Sequence, residues 1–153
     1  MNKEWFRNGE DKIVDFVCGK HYNCVLTESG KMICSGFVFY RKFDETMRQN
    51  DENYEDWPFK VPAPEGYYKA LKAFPSYKMH NVYVNWQKNA STTVRSFRIG
   101  EKDSDDYDKE GHWKELDLPE NGHFKHIAST RMMVYGICDK NQLWVWGQSG
   151  EAE

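Results

Sequence analysis

The sequence predicts an all-β protein built from about three antiparallel hairpin repeats. Residue 13 aligns with residue 124 and residue 36 with residue 147 without a gap, a constant offset of 111 positions. In both segments an apolar run, a turn and a second apolar run follow one another. Such a pattern is typical of a β-hairpin, and its recurrence indicates a repeat. Aromatic residues make up 16% of the chain, which also favours strands with flat packed faces.

The turn inside each of these hairpins carries the clearest local signal. Residues 27–30 align with residues 138–141, and each turn ends in a residue that tolerates a positive φ, Gly30 in one and Asn141 in the other. A tight hairpin turn requires that backbone conformation. We therefore expect both turns to close their hairpins in the same register.

A third copy lies between these two. Residues 68–73 parallel residues 124–129, and the extended runs 82–86 and 94–99 follow. The copies end in Gly36, Gly100 and Gly147, so the closing glycines are 64 and 47 positions apart. Repeats of about 40–50 residues are typical of blade-sized β-units. The hairpins are therefore predicted near residues 13–36, 68–100 and 124–147.

These motifs resemble the repeats of the regulator-of-chromosome-condensation family. The resemblance rests on Val17-Cys18-Gly19, Leu26-Thr27-Glu28, Gly30 and Gly36 in the first copy, and on Leu143-Trp144-Val145-Trp146-Gly147 in the last. Pro64 and Pro119 are similar to the proline-containing approach of that family, whereas Tyr22 and Met133 stand where its pattern has histidine. The resemblance implies that each copy belongs to one four-stranded blade of a β-propeller.

About three blades are too few to close a ring, since propellers of this type have about seven blades and propellers in general about 4–8. We therefore expect residues 1–153 to form a partial propeller, with polar insertions near 37–60 and 101–117 that run as surface loops and a short helix near 44–49. An open stack leaves two apolar end faces uncovered. We expect Trp144 or Trp146 to lie near a blade–blade or chain–chain junction.

The apolar positions of the hairpins predict the core. Eight of them are expected to be substantially buried in strands: Phe16, Val17, Leu26, Ile33, Ile127, Ile137, Leu143 and Val145. The four cysteines show no Cys-x-x-Cys spacing that would indicate a zinc site. We expect Cys18, Cys24, Cys34 and Cys138 to be free, small apolar residues of the strands, which indicates a reducing intracellular compartment.

No motif for catalysis, cofactor binding or metal binding is evident. The five histidines form no recognisable constellation, and the chain has no nucleophile elbow and no phosphate-binding glycine loop. No apolar run approaches the roughly 20 residues of a membrane span, and residues 1–12 lack the apolar segment of a secretion signal. We expect a non-enzymatic, intracellular protein without a cofactor, in the cytoplasm, nucleus or an organelle.

The charges are unevenly distributed. Between Gly66 and Gly100 there is no Asp or Glu, while the segments on either side are rich in both. Basic residues interleaved with aromatic ones suit an acidic protein surface or phosphate groups. The alternative is that the acidic insertions neutralise the basic segment or that its charges merely face water, which the net charge of −3 favours. The candidate partner-binding residues are Lys69, Lys72, Lys78, Tyr83, Trp86, Lys88, Arg95, Arg98, Trp144 and Trp146.

Three functional hypotheses follow. The first is a protein–protein interaction or scaffold module, a subunit or fragment completed by other chains or blades. The second is guanine-nucleotide exchange on a Ran-like small GTPase, an activity implied by the resemblance alone, and a propeller fold does not by itself entail it. The third is binding of nucleic acid or another polyanion through the basic middle repeat. The first hypothesis is preferred because it follows from the incomplete ring.

Overall fold

Three antiparallel β-sheets make up the computed structural model, which describes residues 11–19, 22–36, 59–77, 81–99 and 113–147. The first sheet has the strand order β1 (Ile13–Cys18), β2 (Tyr22–Thr27), β3 (Met32–Gly36) and β4 (Phe59–Val61). The second has the order β5 (Tyr67–Pro75), β6 (Val82–Lys88), β7 (Val94–Ile99) and β8 (Lys114–Glu115). The third has the order β9 (Phe124–Ser129), β10 (Met133–Cys138) and β11 (Leu143–Gly147). The predicted all-β fold of about three hairpin repeats is confirmed.

The repeat found in the sequence is also a repeat of backbone geometry. Strands β1, β2 and β3 begin and end 111 positions before β9, β10 and β11. The amide of Glu28 donates to the carbonyl of Lys12 at 2.7 Å, and the equivalent amide of Asp139 donates to the carbonyl of His123 at 2.9 Å. The predicted alignment of the two hairpins is therefore confirmed, including the register of their turns.

Both turns use the positive φ that the sequence predicts, 91° at Gly30 and 63° at Asn141. Gly30 has a second constraint, because a Cβ there would lie 2.7 Å from the Cα of Lys69 on β5. Its carbonyl also accepts a hydrogen bond from the amide of Ala70 at 2.9 Å. The first hairpin turn therefore docks directly against the first strand of the second sheet.

Two apolar cores lie between the three sheets. We call the face of a sheet that is turned toward the next sheet in chain order its leading face, and the opposite one its trailing face. The leading face of the first sheet packs on the trailing face of the second through Val17, Tyr22, Cys24, Leu26, Met32, Cys34, Val61, Ala70, Ala73, Val82, Val84, Trp86, Phe97 and Ile99. The leading face of the second sheet packs on the trailing face of the third through Phe74, Tyr83, Leu116, Leu118, Phe124, Ile127, Val134, Cys138 and Trp146.

The predicted core is correct in part. All eight predicted positions lie in strands, and Val17, Leu26 and Ile127 are buried. Ile33 and Val145 are half-buried, and three positions are exposed: Phe16, Ile137 and Leu143. The physical reason is that these five lie on the trailing face of the first sheet or the leading face of the third, which no described sheet covers.

The prediction of four free, buried cysteines is wrong for three of them. Cys24 and Cys34 lie directly opposite each other on β2 and β3, with their Cα atoms 4.2 Å apart, and form a disulfide. Residues directly opposite each other on antiparallel strands bring their side chains together, which allows the bond. Cys18 is free but exposed, and only Cys138 is free and buried.

The fourth strands arise where the sequence indicated polar insertions. Strand β4 pairs with β3 at the end of segment 37–60, and β8 pairs with β7 near the end of segment 101–117. A short edge strand is held by backbone hydrogen bonds and needs little apolar sequence, so periodicity does not reveal it. The predicted helix near 44–49, residues 37–58 and 101–112 of the two insertions, Lys78 and Gly100 lie outside the described residues.

Candidate partner-binding surface

The basic residues of the middle repeat that the structure describes do not form one exposed patch. Lys72 and Lys88 are exposed and Lys69 is half-buried, but Arg95 and Arg98 are buried. The Lys72 Nζ lies 3.4 Å from Asp15 Oδ2 on β1, so this charge has a partner in the first sheet.

Arg95 is held inside the second sheet. Its Nε donates to the carboxylate of Glu115 on β8, and its Nη1 donates to the carbonyl of Leu118 at 3.2 Å. An arginine so paired secures the strand that follows the acidic insertion. A guanidinium that is buried in this way is not available to a polyanion.

The predicted aromatic contact residues are mostly core residues. Tyr83 and Trp86 are fully buried, and the Trp86 ring lies 5.4 Å from that of Trp113. Trp146 is buried as well and meets Tyr83 edge to face at 6.1 Å, across the boundary of the second and third sheets. Trp144 is half-buried against the same core. The expected position of Trp146 at a blade–blade junction is thus confirmed, whereas Tyr83 and Trp86 serve packing within the chain.

A buried tyrosine ties the first sheet to the second. The hydroxyl of Tyr22 donates to the carbonyl of Asn81 at 2.8 Å and accepts from the amide of Ser76 at 3.3 Å. Burial raises the pKa of Tyr22 to about 12. The neutral phenol is therefore the form that this junction requires.

A buried polar network ties the second sheet to the third. Asn85 Nδ2 donates to the carbonyl of Phe124 at 2.7 Å, and the amide of Phe124 donates to Ser96 Oγ at 2.8 Å. Ser96 Oγ in turn donates to Asn85 Oδ1 at 2.5 Å. Because buried polar groups are costly when unpaired, this closed set of bonds fixes the position of β9 against β6 and β7.

The leading face of the third sheet is apolar and open to solvent. Its members on the two paired strands are Met133, Tyr135, Ile137, Leu143 and Val145. Leu143 is 66% exposed and Ile137 39%, whereas Met32 and Leu26 at the equivalent positions of the first sheet are 0% exposed. The difference is that the second sheet covers the leading face of the first, and no described sheet covers that of the third.

The trailing face of the first sheet is the second open surface. Phe16 on β1 lies opposite Val25 on β2, and Val25 lies opposite Ile33 on β3. Phe16 is 68% exposed, whereas its equivalent in the third sheet, Ile127, is 7% exposed against the second sheet. Contiguous exposed apolar surface of this kind marks interaction sites.

Sequence reasoning assigned five residues of these two faces to the core, namely Phe16, Ile33, Ile137, Leu143 and Val145. The repeat pattern is the same in a covered and an uncovered copy, so it does not tell one from the other. The available signal was the number of repeats, since about three blades leave two end faces open. Within the parts of the chain that the structure describes, no cluster of three or more His, Cys, Asp or Glu side chains is arranged to hold a metal. No helix among the same residues is long and apolar enough to cross a membrane.

Comparisons with known proteins agree on the architecture. No protein-family model and no curated protein matches the chain. Solved structures do match: Prp20p from Saccharomyces cerevisiae, reported with its binding properties to Gsp1p and histones, has 17% sequence identity and a TM-score of 0.58 over 90% of this chain. Yeast RCC1 (Prp20) bound to Kap60 has 17% identity and a TM-score of 0.59 over 90% of this chain. Human WBSCR16 has 14% identity and a TM-score of 0.59 over 92%.

The matched part is a fraction of each of these proteins. The chain covers 31%, 30% and 34% of them, so it spans about a third of their length. Sequence identities this low show the fold alone. The structural matches and the three antiparallel sheets that pack face to face show that this chain has the fold of consecutive β-propeller blades of the regulator-of-chromosome-condensation type.

Proposed function

We propose that this chain is a non-enzymatic protein–protein interaction module whose two apolar end faces are completed by β-sheets of other blades or chains. The observation that carries the proposal is the contrast between equivalent faces. The leading face of the first sheet is buried by the second sheet, and the leading face of the third sheet has the same strand positions and similar apolar side chains without a cover.

Energetics support a cover for these faces. Burying apolar surface contributes roughly 25 cal/mol per Å², and exposed sheet faces of this type promote uncontrolled association when nothing covers them. A specific partner that presents its own apolar β-sheet buries this surface and also prevents the uncontrolled association. Because the faces are rigid parts of sheets, the interaction requires little ordering of the chain on binding.

The test is cross-linking of the native protein, isolated gently, followed by mass spectrometry of the cross-linked peptides. Contacts should map to segments 133–145 and 14–35, and substitution of Leu143 by Asp should remove those of the first segment. The matched control is Tyr77→Asp, since Tyr77 is also a large exposed hydrophobic residue but lies outside both faces. A native chain that forms no contact through either segment would overturn the proposal.

A second candidate is guanine-nucleotide exchange on a Ran-like small GTPase. It is supported by the fold likeness to Prp20p, reported with its binding properties to Gsp1p and histones. The direct assay is release of labelled nucleotide from such a GTPase in the presence of the native protein. Acceleration at substoichiometric amounts would establish exchange, and an unchanged rate would exclude it.

Binding of nucleic acid or another polyanion has less support. Of the six basic candidates, two are buried and Lys72 is paired with Asp15. Polyanion binding typically depends steeply on salt. A weak, salt-independent interaction with DNA or RNA would dismiss this third candidate.

A further inference from the structure

We infer that the leading face of the third sheet binds the trailing face of the first sheet in a second copy of this chain. The inference rests on the proposed function, and it names the partner of the two end faces. One sheet face binds another, leading face against trailing face, as the three sheets do within the chain.

The leading face has a covered counterpart inside the chain. Tyr135, Ile137 and Leu143 stand at the positions of Cys24, Leu26 and Met32, which lie in the first core. That core is closed by the trailing face of the second sheet. A cover for the third sheet must therefore present the trailing face of a blade.

The chain itself exposes such a trailing face. Phe16 and Ile33 of the first sheet stand at the positions of Ile127 and Trp144 of the third. Ile127 and Trp144 pack on the leading face of the second sheet. The first sheet of one copy is therefore suited to cover the third sheet of another in the way that the third sheet covers the second.

The charges of the two faces permit this contact. Strands β2, β3, β10 and β11 contain no Asp, Glu, Lys or Arg residue. On β1, which carries Phe16, Asp15 is paired with Lys72 of the second sheet, and the exposed Lys60 lies on the edge strand β4, opposite Ile33. Burying unpaired charge is costly, and these four strands bring no charge into the contact. The strands of the second sheet, by contrast, do carry charged residues, including Lys72, Arg95 and Arg98.

Two copies can cover both open faces of the described sheets. Each copy supplies one leading and one trailing face from these sheets, so a head-to-tail pair has two identical contacts and leaves neither described face uncovered. Such a contact gives a closed ring when the rotation closes, and a filament when it does not. Two copies of about three blades each bring about six, which lies within the range of about 4–8 blades seen in propellers.

The first experiment is sedimentation velocity of the purified full chain at several concentrations. We expect a species of twice the 18.1 kDa chain mass. Leu143→Asp and Phe16→Asp should each lower the association constant at least about 100-fold, because each places an unpaired charge in the contact. Tyr77→Asp is the control and should leave the mass unchanged.

Mixing the two face variants tests the direction of the contact. Phe16→Asp keeps an intact leading face and Leu143→Asp keeps an intact trailing face. A one-to-one mixture therefore rebuilds one undamaged contact and should recover dimers that neither variant forms alone. A mixture that stays monomeric, although both variants give folded far-UV circular dichroism spectra, would overturn the head-to-tail arrangement.

Cross-linking supplies a test that does not depend on loss of binding. At the junction of the second and third sheets the amide of Tyr77, in the loop after β5, donates to Ser129 Oγ at 2.7 Å. Cys18 is the first-sheet equivalent of Ser129, and the loop after β9 contains Met132. A bis-maleimide should therefore join Cys18 of one copy to the introduced thiol of Met132→Cys in another, and Cys18→Ser should abolish the product.

The outcomes separate this inference from the proposed function. A dimer that responds to both face variants supports the two together. A heteromeric assembly held through the same faces, with no contact between copies, refutes self-association and retains the interaction module. A monomer that is indifferent to both face variants and forms no assembly in the native state refutes both.

Discussion

Leu143 in the third sheet occupies the position that Met32 occupies in the first, yet Leu143 is largely exposed and Met32 is completely buried. Both follow a hairpin turn, and both pair with the second strand of their sheet, Leu143 with Ile137 and Met32 with Leu26. Two things differ: the second sheet covers Met32, and β4 pairs with Met32 at the sheet edge, whereas no described sheet or further strand does so for Leu143. Leu143 is exposed because no described sheet covers the leading face of the third sheet. This contrast is the basis for assigning that face a partner.

Trp146→Ala should weaken the junction of the second and third sheets. The indole is buried against Tyr83 and Phe124, and truncating a buried tryptophan typically costs about 3–5 kcal/mol. Trp144→Ala is the matched control with a smaller expected loss, since Trp144 is only half-buried. Denaturant unfolding measures both changes, and equal losses for the two variants would contradict the position assigned to Trp146.

Gly30→Ala should destabilise the chain more than Gly66→Ala. Both glycines have a positive φ, 91° and 81°, so each substitution incurs about 1–2 kcal/mol of backbone strain. Only at Gly30 would the new Cβ also meet the backbone of Lys69, whereas Gly66 has nothing within 4 Å of that position. Thermal unfolding of the two variants gives the comparison, and equal melting temperatures would argue against the docking of this turn on β5.

Ser96→Ala should break the polar network between the second and third sheets. The substitution removes the hydrogen bonds that the Ser96 hydroxyl makes with the amide of Phe124 and with Asn85 Oδ1. Leaving such buried groups unpaired costs about 1–3 kcal/mol. Ser91→Ala removes a hydroxyl from a half-buried turn and is the control, with an expected change below about 0.5 kcal/mol. Hydrogen exchange should show faster opening of β9 in the first variant only.

Alkaline pH should destabilise the chain through Tyr22. Burial raises its pKa to about 12, above the ordinary tyrosine value of about 10. The phenol therefore stabilises the fold fully below pH 10, and the contribution is lost as the pH rises from 10 through 12. A shift of about two units corresponds to about 3 kcal/mol.

Comparison with Tyr22→Phe isolates this effect. The variant loses the hydrogen bonds to Asn81 and Ser76 and is less stable than the natural chain at pH 8. Because it has no phenol to ionise at this position, the gap in unfolding free energy should narrow between pH 10 and 12. A gap that stays constant across that range would contradict the raised pKa.

Local sequence signals predicted the fold well, because the strands and turns of this chain depend on neighbouring residues. Alternation of apolar residues located β2 and β10, and the positive-φ residue types located the turns at Gly30 and Asn141. Strands β4 and β8 escaped prediction, since edge strands depend on backbone pairing with β3 and β7 rather than on a pattern of their own.

The candidate surface was harder to predict than the fold. The charge pattern pointed to Arg95 and Arg98, but whether an arginine is buried depends on where Glu115 and Leu118 arrive from a distant part of the chain. Cys24 and Cys34 are ten positions apart, and their bond follows from strand register, which spacing alone does not give. The sequence predicted Phe16 and Leu143 to be core residues, because the residues around them follow the pattern of a covered blade.

The most direct measurement is hydroxyl-radical footprinting of the native protein, before and after dilution or introduction of Leu143→Asp. We expect Tyr135 and Ile137 to be protected in the native state and to become reactive when the partner is released. Tyr77 is exposed outside the covered face and should react equally in both states. Native protein in which Tyr135 and Ile137 react as readily as in the released chain would contradict a partner on the leading face of the third sheet.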